Sequence, residues 1–306
     1  HTEYSLLDGL CKIPSLLERA KADGQHALAI TDHGVMYGAI HFYNYAKEKG
    51  IKPIIGVETY VATHSHLDKQ PKMGADQFHL LLLAKNYTGY KNLMKLVSIA
   101  HLEGFSYKPR IDFDLLKQYR EGIIVTSGCL QSEFSQLIME NKRDEAVEKL
   151  KKYANLFGDD FFLEIQAHPK IKHVEEMRKE MAKISRELGL PLVATNDVHY
   201  VNPDDAEAQD ALLAVQMRKI LSDKNRLSMY SSPDFYLRSQ KEMEQLFLEY
   251  PDAIKNTAKI AERCNVEIPI GNWILPDFPL PKNETYESLL KKMSHEGLKT
   301  RFKDIT

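Results

Sequence analysis

The chain has 306 residues, 43% of them apolar and 27% charged. With no apolar run approaching the ~18 residues of a bilayer span, it reads as one large α/β domain with an appendage, or as two domains of ordinary size. The formal charge of −2 excludes a domain whose main task is to coat nucleic acid, which needs a clear Lys/Arg excess, so any DNA contact is local.

Cys11, Cys129 and Cys264 are widely spaced and odd in number, which fits a reducing, cytoplasmic compartment better than a disulfide framework. The sequence opens at His1 with neither an initiator Met nor a signal segment and is expected to begin inside a longer polypeptide.

In chain order, Ile13, Leu16, Leu17 and Ala20 recur at helical spacing, and a strand is predicted over His26–Thr31. Further strands are predicted at Pro53–Val61, Phe78–Ala84, Gly122–Ser127, Phe161–Gln166 and Pro191–Asn196. Val147, Leu150, Ala154 and Phe157 mark one intervening helix, and Val174, Met177, Met181, Ile184 and Leu188 another. Gly24, Gly50, Gly158 and Gly189 sit where helices should end.

This alternation is the pattern of βα units around a parallel sheet. No G-x-G-x-x-G or G-x-x-x-x-G-K-[ST] turn follows any strand, so a closed barrel, with a seventh strand just before or at His1, is preferred to an open nucleotide-binding sheet. From about Asp204 to Val266 the pattern turns helical and charged, with Phe235–Leu237 extended. Pro269, Pro276, Pro279 and Pro281 then mark a linker before an amphipathic helix over Tyr286–Phe302, which places a domain boundary near residue 270 (1–270 and 271–306).

Several predicted strands finish in metal-ligand residues, as the strand ends at an active barrel face do. Ala27–Thr31 runs into Asp32, His33 and Gly34, although a polar loop cap is an equal reading of that tripeptide alone. Glu58 lies inside an apolar strand, where a carboxylate is costly unless paired or metal-bound. Asp197 and His199, two apart in extended chain, point to one side.

Cys129 follows a strand through Ser127 and Gly128, as a thiolate ligand or as a small buried hydrophobe. His79 starts rather than ends its apolar run, so by position it reads equally as a satisfied core histidine. His26, His41, His64, His66, His101, His173 and His295 are assigned solvated or capping roles, and His168 is left open. Carboxylates and imidazoles with one thiolate suit Zn²⁺ or Mn²⁺ better than an all-oxygen cage, and the implied reaction is hydrolysis of a phosphate ester.

His1-Thr-Glu-Tyr-Ser-Leu-Leu-Asp-Gly9, Ala29-Ile-Thr-Asp-His-Gly34, Lys52-Pro-Ile-Ile-Gly-Val-Glu58, His79-Leu-Leu-Leu-Leu-Ala-Lys85, Thr126-Ser-Gly-Cys-Leu130 and Thr195-Asn-Asp-Val-His-Tyr200 resemble, in order, the motifs of the PHP (polymerase and histidinol phosphatase) domain of bacterial DNA polymerase III alpha subunits. The resemblance continues through Phe235-Tyr-Leu and residues 256–265 into the proline linker.

It implies a distorted (βα)7 TIM-like barrel, followed by a helical extension and the start of a polymerase palm. It also implies up to three metals at the mouth. Carried over by motif, His1, Glu58 and Asp197 hold one, Glu58 bridges to a second held by His79 and Cys129, and Asp8, His33 and His199 hold a third. Asp32, Glu58 and Asp197 are the candidate catalytic carboxylates, with Asp32 orienting a neighbour.

The family's first motif is a His-x-His pair, of which only the second histidine is present, at His1; this leaves the first metal a ligand short. The implied activity is 3′ to 5′ exonuclease proofreading. The implied partners are the 3′ end of a DNA primer strand, the remaining polymerase domains and other replisome subunits. The polymerase's own catalytic aspartates are not in the chain, so DNA synthesis is not expected of it. Lys108, Arg110, Lys291, Lys292, Lys299, Arg301 and Lys303 are candidate phosphate contacts and, equally, ordinary solvated faces. The competing readings are a catalytically silent, metal-stabilised structural module and a free-standing small-molecule phosphatase.

Overall fold

The computed structural model describes residues 1–69, 77–223, 225–230, 232–273 and 275–302. Two compact units divide the chain, His1–Glu267 and the residues from Ile268 onward.

The first unit starts with a turn-rich segment and then α1 (Ile13–Ala22), β1 (Ala27–Ile30), α2 (Ala39–Lys49) and β2 (Lys52–Val61). β3 (Phe78–Ala84), α3 (Tyr87–Leu102), β4 (Phe105–Ser106), β5 (Lys108–Ile111), α4 (Phe113–Gln118) and β6 (Ile123–Thr126) follow. Then come α5 (Glu133–Met139), α6 (Arg143–Phe157), β7 (Phe161–Ile165), α7 (Val174–Leu188) and β8 (Leu192–Ala194). A helical extension of α8 (Ala206–Gln216), α9 (Gln240–Leu246) and α10 (Pro251–Arg263) completes it. All six predicted strands are present, and Gly24, Gly50, Gly158 and Gly189 follow α1, α2, α6 and α7 with positive φ, as residues ending a helix without a Cβ readily do.

The strands form one curled, half-barrel mixed sheet in the order β4-β5-β2-β3-β6-β7-β8, with β1 on β2, an α/β architecture of the distorted barrel type. β1 lies parallel to the start of β2, and β5 lies parallel to its end. β6, β7 and β8 are mutually parallel.

Two expectations need correction. The sheet is not uniformly parallel, because β3 runs antiparallel to both β2 and β6. Antiparallel neighbours need no crossover helix between them, and none lies among the described residues between β2 and β3. Nor is there a strand at His1. Thr2 makes only an isolated bridge to Cys11, and no ladder joins β8 to β1 among the described residues.

The amino-terminal segment occupies that interval instead. The His1 backbone nitrogen donates to Val198 O (2.8 Å) and Leu10 N to His199 O (2.7 Å), both past β8. On the other side, Thr2 Oγ1 donates to Asp32 Oδ2 (2.8 Å) beyond β1. Backbone bonds on one side and side-chain bonds to Asp32 on the other thus do here what a ladder does elsewhere.

One core cluster lies towards one end of the strands. Ile54, Leu83, Ile124, Phe162 and Val193 pack together from β2, β3, β6, β7 and β8, and Ile260 and Cys264, in and just after α10, cover them. Each such aliphatic side chain contributes about 1.5–3 kcal/mol on burial. Cys264 and Cys11 are fully buried and behave as small apolar groups.

In the second unit, α11 (Tyr286–Arg301) begins at Thr285, whose side chain caps Ser288 N, and has no buried residue. No helix of the described residues is long and apolar enough to cross a membrane.

One close contact is open to test. A Cβ on Gly89, near the start of α3, would stand 1.9 Å from Gly122 O, which accepts Lys85 N at 2.8 Å. Gly89→Ala is expected to cost about 1–3 kcal/mol by overpacking. A lower urea midpoint at unchanged slope would show it, and an unchanged midpoint would mean that the junction yields freely.

Candidate metal centre

At the end of the sheet away from α10, side chains from separate segments converge. β1 leads to Asp32 and His33, β2 carries Glu58 in its second half, β6 leads to Cys129, and β8 leads to Asp197 and His199. The reversal of β3 puts His79, second in its strand, at the same end as residues that follow the parallel strands. The amino-terminal segment brings His1 and Asp8.

His1 Nε2 stands 3.1 Å from Glu58 Oε2 and 3.3 Å from Asp197 Oδ1, and His199 Nε2 is 3.1 Å from the same Asp197 oxygen. Asp8 Oδ2 lies 2.7 Å from His33 Nε2, and its Oδ1 is 3.8 Å from His199 Nδ1. Glu58 Oε1 lies against His79 Nδ1, and Cys129 Sγ is 3.5 Å from that nitrogen. The His1 and His33 rings stack at 3.9 Å.

This donor set fits divalent cations. Among the described residues, Nδ1 of His1, His33 and His199 is buried without a hydrogen-bond partner, a costly state that a cation would relieve. Donor atoms of His1, His33 and His199, and likewise of His33, Glu58 and His79, lie within 4.8 Å of one another. His33 therefore stands within reach of Glu58 and His79 as well as of Asp8 and His199, a wider reach than the motif resemblance implies.

The PHP domain family matches residues 1–168. This chain belongs to the PHP domain family. It is 46% identical over 309 residues to DNA polymerase III subunit alpha of Borreliella burgdorferi, covering 100% of this chain and 27% of that protein. Its identity to the same subunit of Thermus aquaticus is 43%, covering 99% of this chain and 26% of that one. The chain thus spans about a quarter of the length of these relatives. Among solved structures, an amidohydrolase from Chromobacterium violaceum aligns over 63% of this chain and 84% of its own, with a TM-score of 0.43 and 13% identity.

The electrostatics of this PHP cluster are those of close-packed opposite charges. Only 12% of the Glu58 and 20% of the Asp197 side chain is accessible. Burial would raise the Glu58 carboxyl, but His79, His1 and His33 outweigh it and hold the group well below the usual range. Asp197 is held down likewise, against burial, by His199 and His1. Asp8, despite burial, is brought to about 2 by His33, His199 and His1.

Conversely, burial disfavours charged His1, His79 and His199, yet their carboxylate partners raise all three. Burial and then His1, stacked on it, lower His33. The Cys129 thiol is pushed up by burial and by Glu58 and Asp197.

Asp32 faces away from this set. Only 1% exposed, it accepts from Thr2 N (2.5 Å), Thr2 Oγ1 (2.8 Å) and Ser5 Oγ (2.7 Å). Its oxygens are engaged in holding the segment that carries His1 and Asp8, an orienting position. Gly9 serves the same segment, since a Cβ there would lie 2.1 Å from Thr2 O.

His168, left open by sequence, is 2% exposed and stacks on Phe235 at 4.3 Å; Phe235 in turn meets His199 edge-on. Among histidines assigned bland roles, His66 pairs with Asp112 at 2.5 Å and His173 with Glu176 at 2.8 Å. His101 Nε2 is 2.9 Å from Gly34 O and so braces the loop of His33.

Sequence reasoning missed Tyr60, which stacks on His33 and meets His79 edge-on. The signal was available, because Tyr60 lies two residues beyond Glu58 on the same strand face. It also missed Glu164, a buried carboxyl that accepts from Thr195 Oγ1 (2.6 Å) and Thr126 Oγ1 and so ties the ends of β6, β7 and β8 together.

Two outcomes are expected. In metal-free protein, a raised histidine contributes stability that is complete below its ordinary value of 6.5 and lost as pH rises through the folded value. The lowered carboxylates contribute above their ordinary values, 3.8 and 4.5, and lose it on acidification. Chelated protein should therefore melt lower as pH climbs from about 6 to 9, while zinc-loaded protein gains, because its ligands shed protons. Parallel melting curves for the two forms would exclude this cluster as the metal site. Asp32→Ala is expected to weaken metal affinity about 10–100-fold, read by competition with a chelating dye; unchanged affinity would show that segment 1–9 needs no such anchor.

Proposed function

We propose that this chain is the metal-dependent phosphoesterase module of a bacterial, cytoplasmic DNA polymerase III alpha subunit, removing nucleotides from the 3′ end of a DNA strand. The observation that carries this reading is the convergence of imidazole, carboxylate and thiol donors from five strands and the amino-terminal segment, with buried imidazole nitrogens left unpartnered among the described residues. The similarity to alpha subunits over the whole chain supports the replicative setting.

In this reading His1, Glu58 and Asp197 hold one Zn²⁺ or Mn²⁺ ion, Glu58 with His79 and Cys129 a second, and Asp8, His33 and His199 a third. When bound, such ions supply Lewis-acid activation of water and neutralise phosphate charge. The protein's own groups do the rest. Glu58 and Asp197 stay ionised at neutral pH and fix the rings of His1, His79 and His199. Asp8 fixes His33. Tyr60 and Phe235 wall the cluster with aromatic surface, which limits water and strengthens the charges inside.

The test uses the chain loaded with Zn²⁺ or Mn²⁺ and a 3′-labelled primer. Release of the terminal nucleotide is expected, and Asp197→Asn should lower kcat/KM by about 100-fold or more, the scale of a lost charge-stabilising group. A melting temperature that falls sharply on chelation, with no nucleotide released by either protein, would overturn the hydrolytic reading in favour of a metal-stabilised structural module.

A further inference from the structure

Two cations close to the cluster stand two residues apart on β5, and the structure separates them. Arg110 is 1% exposed, and its guanidinium donates to the carbonyls of Gly104 (3.3 Å), His66 (3.4 Å) and Asp68. It braces the loop after β2 and is removed from the candidate phosphate contacts. Lys108 is exposed, and no carboxylate lies within ion-pairing distance of it among the described residues.

Lys108 is nonetheless held in place. Its Nζ sits 5.1 Å from the centroid of the Tyr60 ring. That ring stacks on His33 at 6.3 Å and 25° and meets His79 edge-on at 5.3 Å. One aromatic ring therefore separates an unpaired ammonium from two of the candidate ligands.

We infer that Lys108, seated on Tyr60, is a substrate-positioning residue that grips a second phosphate of the chain undergoing hydrolysis, beside the one cleaved at the cluster. The inference rests on the phosphoesterase reading and narrows it, since the preferred substrate then carries more than one phosphate. Cation–π seating limits the freedom of the lysine stem, so less entropy is lost when the phosphate arrives. Lys47, Lys91 and Lys152 also sit over aromatic rings, but among the described residues only the ring beneath Lys108 also meets candidate metal ligands.

The test compares two probes on the metal-loaded chain: a short 3′-labelled oligothymidylate, and the p-nitrophenyl ester of thymidine 5′-phosphate, which has a single phosphate. Lys108→Ala is expected to raise KM for the oligothymidylate several-fold with kcat little changed, to leave KM for the ester unaltered, and to keep the metal content measured by elemental analysis. Lys108→Arg should restore the wild-type KM. Binding of the oligothymidylate in the Asp197→Asn background should lose about 0.7 from its slope of log Kd on log salt when Lys108 is also replaced, the signature of one single-strand phosphate contact.

An oligothymidylate KM and salt slope equal to wild type in Lys108→Ala overturns the inference while leaving hydrolysis intact. A slope that depends on Lys108, with neither probe hydrolysed, keeps the phosphate contact and overturns the catalytic reading. Parallel loss on both probes makes Lys108 part of the cluster's support and also overturns the inference.

Discussion

Carboxylates withdrawn from water at one mouth are the constraint on which the rest of this structure depends. Glu58 and Asp197 retain little accessible surface, and an ionised group in that position is stable only against compensating charge. His1, His79 and His199 supply it in the metal-free protein, at distances that leave several donor atoms unsatisfied. The same crowding suits the set to a cation, because protons and metal ions compete for the same nitrogen and oxygen atoms.

Meeting that constraint shapes the sheet. α10 covers Ile54, Leu83, Ile124, Phe162 and Val193 at one end of the strands, so the other end is free to be polar. Along three parallel strands the packed residue comes first and the candidate ligand after it: Ile54 precedes Glu58, Ile124 precedes Cys129, and Val193 precedes Asp197. In β3 the order inverts, His79 before Leu83, as its antiparallel course demands. One rule of position therefore covers both strand directions.

The interval between β8 and β1 shows how a local polar network substitutes for a ladder. Asp32 takes three hydrogen bonds from Thr2 and Ser5, while Val198 and His199 accept from His1 and Leu10. The segment so fixed delivers His1 and Asp8 from a turn rather than from a strand. Its precision rests on buried hydrogen bonds, which are strongly directional and costly to leave half made.

The sequence by itself determined the α/β alternation, the six main strands, the helix ends at Gly24, Gly50, Gly158 and Gly189, and the donor types placed at strand ends. These follow from periodicity and from backbone geometry, which are properties of neighbouring residues. What only the tertiary structure decided is direction and distance. Strand polarity turned His79 from an ambiguous core residue into part of the mouth, and the packing of segment 1–11 gave Asp32 its anchoring role. Burial parted Arg110 from Lys108, two residues alike in sequence. Such outcomes depend on which surfaces meet across long stretches of chain, and a pattern read a few residues at a time carries no record of that meeting.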